Sequence, residues 1–128
     1  MAGLIILDAC VLIALTDGTN TFHADARHIL SGEEDFAITA LTGAEVMVHP
    51  IPAAVGSWSD LLRDLGVAVI PIEAPDMEAI AATRRQSGLK MPDALVLWLA
   101  LRRNADVATF DQRLAAQVKE HGLTVLPR

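Results

Sequence analysis

The chain has one cysteine, Cys10, so it cannot close an internal disulfide, and a reducing, cytoplasmic setting is expected. No apolar run reaches the roughly 18 residues that cross a membrane, and no membrane partner is expected. A basic stretch followed by a cleavable apolar segment is also missing from the N-terminus, so no signal peptide is expected. Cys10 has no second thiol to share a metal with. The patterns G-x-S-x-G, G-x-x-x-x-G-K and G-x-G-x-x-G do not occur. Their absence removes the serine-hydrolase elbow, the phosphate loop and the dinucleotide fingerprint.

What the chain does have is apolar material, 52% of 128 residues, enough for one core without covalent staples. With no repeat, linker or low-complexity segment, residues 1–128 read as a single domain. The net charge is −6, which by itself disfavours a nucleic-acid partner. Its distribution does not: residues 1–83 sum to −10 and residues 84–128 to +4. Arg84, Arg85, Lys90, Arg102 and Arg103 fall within residues 84–103, where Asp93 is the sole acid. Such a stretch is either a solvated helix surface or a phosphate-binding face.

Short apolar segments alternate with helical ones. "GLIIL" (3–7), "DFAITA" (35–40), "VAVIPI" (67–72), "ADVATF" (105–110) and "LTVLP" (123–127) read as strands. A helix is expected from Val11. A second carries Phe22, Ala26, Ile29 and Leu30 on its apolar stripe, and a third opens at Thr42. A fourth, over "PAAVGSWSDLLRDLG", has Val55, Trp58, Leu61, Leu62 and Leu65 as its stripe. Those last residues suit a core better than a dimer face. A fifth helix ends at Gly88. "MPDALVLWLALRRN" is apolar all round from Ala94 to Leu101, so its helix should be buried and emerge at Arg102. Apolar strands separated by helices indicate a five-stranded parallel sheet inside a three-layer α/β/α sandwich. The strand order 3-2-1-4-5 would place the first and fourth strands at the switch point, where ligands bind beyond the strands' carboxyl ends.

Four acids fall at such positions, each with a structural reading beside the functional one. Asp8, in "IILDACV", ends the first strand and could cap the following helix. Glu45 with Thr42 matches a capping box. Asp93 follows Pro92 in a first helical turn, where the helix dipole favours an acid. Asp111 could cap the last helix, and it shares the end of the fourth strand with Thr109. Carboxylates brought together repel unless a cation balances them. An oxygen-only donor set suits Mg²⁺ or Mn²⁺ and suits zinc poorly.

The ordered set "ILDACVLIAL", "ITALTGAEVMVHP", "MPDALVLWLA" and "VATFDQRL" resembles PIN-domain ribonucleases, especially VapC-type toxins of bacterial toxin–antitoxin pairs. The resemblance covers essentially the whole chain. It implies that Asp8 and Asp93 bind magnesium and that Glu45 and Asp111 complete the acidic cluster. It further implies RNA phosphodiester hydrolysis, a homodimer, and inhibition by a cognate VapB-like antitoxin. One position departs from the pattern. Cys10 stands two residues after the first aspartate, where the family commonly has serine, threonine or asparagine. The rival classes are a non-catalytic PIN-like assembly module and a receiver-like phosphoacceptor. The first would lose acids from the cluster. The second needs adjacent acids after the first strand and a lysine after the last, and the chain has neither.

Overall fold

The computed structural model describes residues 3–128. Five parallel strands form one sheet: β1 (Leu4–Leu7), β2 (Asp35–Thr39), β3 (Val67–Ile70), β4 (Asp106–Ala108) and β5 (Val125–Leu126). Their order is β3-β2-β1-β4-β5, the order under which the first and fourth strands flank the switch point. Seven helices connect them: α1 (Ala9–Leu15), α2 (His23–Leu30), α3 (Ala40–Met47), α4 (Trp58–Asp64), α5 (Met77–Ser87), α6 (Met91–Arg103) and α7 (Gln112–Glu120). None is long and apolar enough to cross a membrane.

The two-residue period of β1 divides the core. Ile5 and Leu7 face one side with Phe36, Ile38, Val11, Leu12 and Trp58, beneath α1, α2 and α4. Ile6 faces the other side with Ala37, Val107 and Leu114, beneath α5, α6 and α7. These strands are buried on both faces, which is why they read as continuous apolar runs and not as alternating ones. Helix α6 is the deepest: Ala94 to Ala100 are all buried, and the chain emerges at Leu101, 38% exposed. Gly88 ends α5 and Asn104 ends α6, both left-handed, at φ 70° and 50°. The short link between the two helices sets them antiparallel, so the last turn of α5 adjoins the first of α6.

Several boundaries differ from the sequence reading. The third helix opens at Ala40, two residues before Thr42: Thr39 is the cap, and its Oγ1 accepts from Thr42 N–H at 3.1 Å. The Thr42–Glu45 capping box is therefore absent, and Glu45 lies mid-helix. The segment before α4 is broken: Ala53–Val55 forms a 3₁₀ turn, Gly56 takes φ 94°, and Ser57 caps a fresh helix at Trp58. Val55 is thus outside the α4 stripe, while Trp58 and Leu62 belong to the core. Strand β3 stops before Pro71, which has no N–H to give a sheet.

Candidate active site

Strand register brings Asp8 to its partners. Leu7 pairs with Ala108, so the next residues, Asp8 and Thr109, emerge side by side at the sheet's carboxyl edge. Asp8 N–H donates to Ala108 O at 3.0 Å, the last rung of that pairing. Its carboxylate is held from three sides. Oδ1 accepts from Ala9 N–H at 2.8 Å, capping α1. Oδ2 accepts from the Thr109 hydroxyl at 2.7 Å and from the Cys10 thiol at 3.3 Å. Both readings of Asp8 thus coexist in one side chain, a cap on one oxygen and a buried polar cluster on the other.

Thr109 also accepts from Asp111 N–H at 3.0 Å, tying the fourth acid to the first. Asp111 caps α7 through one oxygen, Oδ1, which accepts from Arg113 and Leu114 N–H. Cys10 accepts from Phe110 N–H at 3.4 Å, so the thiol spans α1 and the end of β4. Burial and the neighbouring Asp8 carboxylate push its pKa up to about 12, so it stays a protonated, unreactive donor. In this chain Cys10 supports Asp8.

Asp93 enters from the first turn of α6. Together with Asp8, Cys10, Asn20, Phe22, Phe110 and Asp111 it lines one pocket of about 470 Å³. Burial, then repulsion from Asp8, Asp111 and Glu45 in that order, raises the Asp93 carboxyl to about 6, while Lys90 partly offsets this. Glu45 lies on α3, outside the pocket's lining but within the same field. Its carboxyl is raised by burial and by Asp8 and is relieved by His49. Asp93 thus feels the other three acids and Glu45 feels Asp8, and Asp8, Asp93 and Asp111 share a cavity. Among the described residues, no three His, Cys, Asp or Glu groups already converge on one point as a metal cage. The donor chemistry still fits a hard cation: the acids offer only oxygen, and their mutual repulsion is what a divalent charge would relieve.

The five basic residues do not converge. Arg84, Arg85 and Lys90 lie exposed where α5 turns into α6, the end that carries Asp93. Arg102 and Arg103 lie at the far end of α6. Arg102 pairs with Asp76 at 2.9 Å and lies over the Trp98 ring. Arg103 lines a separate cleft with Leu4, Asp35 and Gly66, at the amino edge of the sheet. Sequence reasoning missed Asn20, Phe22 and Phe110. Phe22 has stripe spacing, yet it precedes α2 and is 41% exposed. Phe110 gave a faint signal by standing between Thr109 and Asp111.

A parallel α/β sheet that gathers carboxylates beyond its carboxyl edge, at the strand-order reversal, defines the class. The particular family follows from comparison: the PIN domain model matches residues 5–124, and the chain belongs to the PIN-domain family. A toxin–antitoxin complex from Klebsiella pneumoniae contains a similar chain, 25% identical, with 89% of this chain and 92% of that one covered and a TM-score of 0.70. VapC20 from Mycobacterium tuberculosis, a Sarcin-Ricin loop cleaving toxin, is 14% identical over 88% and 94%, with a TM-score of 0.73. VapBC2 from Rickettsia felis, solved with a DNA fragment from its promoter, is 17% identical over 95% and 96%, with a TM-score of 0.62. No curated protein matches the chain in sequence.

Proposed function

We propose that this chain is a Mg²⁺- or Mn²⁺-dependent endoribonuclease, the toxin of a VapBC-type pair, working as a homodimer and neutralised by a cognate VapB-like antitoxin. The observation that carries this reading is the shared pocket of Asp8, Asp93 and Asp111, with Asp93 raised to about 6 by burial and by its acidic neighbours. A cluster built only for capping would have no need to bring its charges into one cavity. Membership of the PIN family, and similarity to a toxin–antitoxin complex, support the same reading.

Asp8 and Asp93 would hold the cation, with Asp111 and Glu45 completing the negative field. When bound there, the cation supplies Lewis acidity toward a phosphodiester and an acidified water. The chain's own residues do the positioning. Thr109 and Cys10 fix Asp8 in one rotamer, and a fixed ligand needs little reorganisation as the reaction proceeds. Asp111 uses one carboxylate oxygen on α7 and keeps the other for the pocket. Arg84, Arg85 and Lys90, on the Asp93 side, serve the flanking phosphates of single-stranded RNA. Arg102 and Arg103 lie too far along α6 to join them.

The test is cleavage of single-stranded and stem-loop RNA with Mn²⁺ or Mg²⁺, by wild type and by Asp8→Asn. Wild type is expected to cut, and the folded variant to lose activity by orders of magnitude. Equal cleavage by Asp8→Asn would end this assignment.

A further inference from the structure

The chain has five aromatic residues: Phe22, Phe36, Trp58, Trp98 and Phe110. Phe36, Trp58 and Trp98 are each 5% exposed and belong to the core. The other two, the exposed Phe22 and the half-buried Phe110, both line the acidic pocket. Their rings stack with centroids 4.4 Å apart and planes within 9° of parallel. Leaving aromatic surface in water costs stability, and a core role would not require it. A parallel pair is also the arrangement that a further flat ring can extend.

The pair is held in place. Asn20 Oδ1 accepts from Phe22 N–H at 2.8 Å, an Asx turn that fixes the backbone ahead of α2. Phe110 is fixed by its N–H bond to Cys10 Sγ and by its position between Thr109 and Asp111. The pair also forms a shared wall. On its other side lies a second cleft of about 190 Å³, which Phe22, Phe110 and Asp111 line together with Gln112 and Lys119. Crossing the wall leads from a carboxylate pocket, suited to a cation that would receive the reacting phosphate, to a cleft that presents an ammonium group.

We propose that Phe22 and Phe110 form a stacking platform for one nucleobase of a single-stranded RNA substrate. The platform seats the nucleotide beside the scissile phosphate and leads the strand toward Lys119. This rests on the ribonuclease reading and adds how that site grips its substrate. Stacking tolerates any base, since every base has a π-face, so the platform positions the strand without reading its sequence.

The test uses a short single-stranded oligoribonucleotide containing 2-aminopurine, whose fluorescence is quenched by stacking. It is titrated into Asp8→Asn protein, which keeps the RNA intact, and into the same protein carrying Phe22→Ala, Phe22→Leu or Phe22→Trp. Quenching on binding is expected with Phe22 and with Phe22→Trp. Phe22→Ala and Phe22→Leu should both lose the quench and bind roughly tenfold more weakly. In the wild-type background the same two changes should raise KM more than they lower kcat. Full recovery by Phe22→Leu would make Phe22 a packing residue and overturn the platform. Unchanged quenching and affinity in Phe22→Ala would overturn it too, leaving the pair as a patch for a protein partner. Failure of the wild type to bind or cut any RNA would overturn the ribonuclease reading, and the platform with it.

Discussion

Helix α6 joins two ends of the molecule that differ in chemistry. Its first turn carries Asp93 into a field of acids, while its last turn carries Arg102 and Arg103 to the opposite edge of the sheet. Both ends suit the helix dipole, which favours acids at the start and bases at the finish. Only the first end holds charges at a disadvantage. Asp93 is raised by burial and by its acidic neighbours, whereas Arg102 has an ordinary surface partnership with Asp76. Charges that satisfy one another are structure. Charges forced together in a cavity are the better sign of function.

The largest expected effect comes from breaking the rod between the two ends. Leu97 is fully buried, and Leu97→Ala should lower stability by about 3 kcal/mol, read as a drop in denaturation midpoint. Leu101→Ala, at the exposed end, should cost less than about 1 kcal/mol. Next comes a contrast between two acids of the same pocket. Asp8→Ala should destabilise the metal-free protein by about 1–2 kcal/mol, because three donors lose their acceptor. Asp93→Asn should instead stabilise it at pH 7, which thermal unfolding of the two variants side by side will show.

The pH dependence gives that second contrast its sign. Folding raises the Asp93 carboxyl from its ordinary 3.8 to about 6, so the folded state holds this proton more tightly. Its contribution to stability is full below the ordinary value and is lost as pH rises through about 6. The gap between Asp93→Asn and wild type should therefore open between acid and neutral pH. It will be modest, because the half-exposed carboxyl is screened by solvent. Without that pH-dependent gap, the strained field would lose its support. The smallest effects belong to the bases. Lys90→Ala should reduce the salt slope of RNA binding by about 1, and Arg103→Ala should leave that slope unchanged.

Much of this was legible in the sequence. Apolar runs at strand length marked the five strands, and the all-round apolar stretch from Ala94 marked the buried α6; the strand order came with the family resemblance. Three of the acids landed in one pocket because strand ends and helix starts converge at the switch point of any such sheet. Other features were not legible, for physical reasons. Threonines at 39 and 42 offered two equivalent caps. The earlier one won because α3 starts directly at the end of β2, and that exposed Glu45 as a residue with no capping duty. The basic stretch is continuous in sequence, but α6 is a rod about 20 Å long that carries its two ends apart. Phe22 has the spacing of a core residue and nevertheless faces the pocket, since an Asx turn at Asn20 sets its backbone outside the helix.

We propose that the carboxyl edge of the sheet is a cation site. The most direct measurement is thermal unfolding with and without Mn²⁺, on wild type, Asp8→Asn and Asp93→Asn. A ligand at a hundred times its dissociation constant stabilises a fold by about 2.7 kcal/mol, which is several degrees for a chain of this length. A rise in wild type that disappears in both variants is the result expected here. A rise of equal size in all three proteins, or none in the wild type, would contradict it.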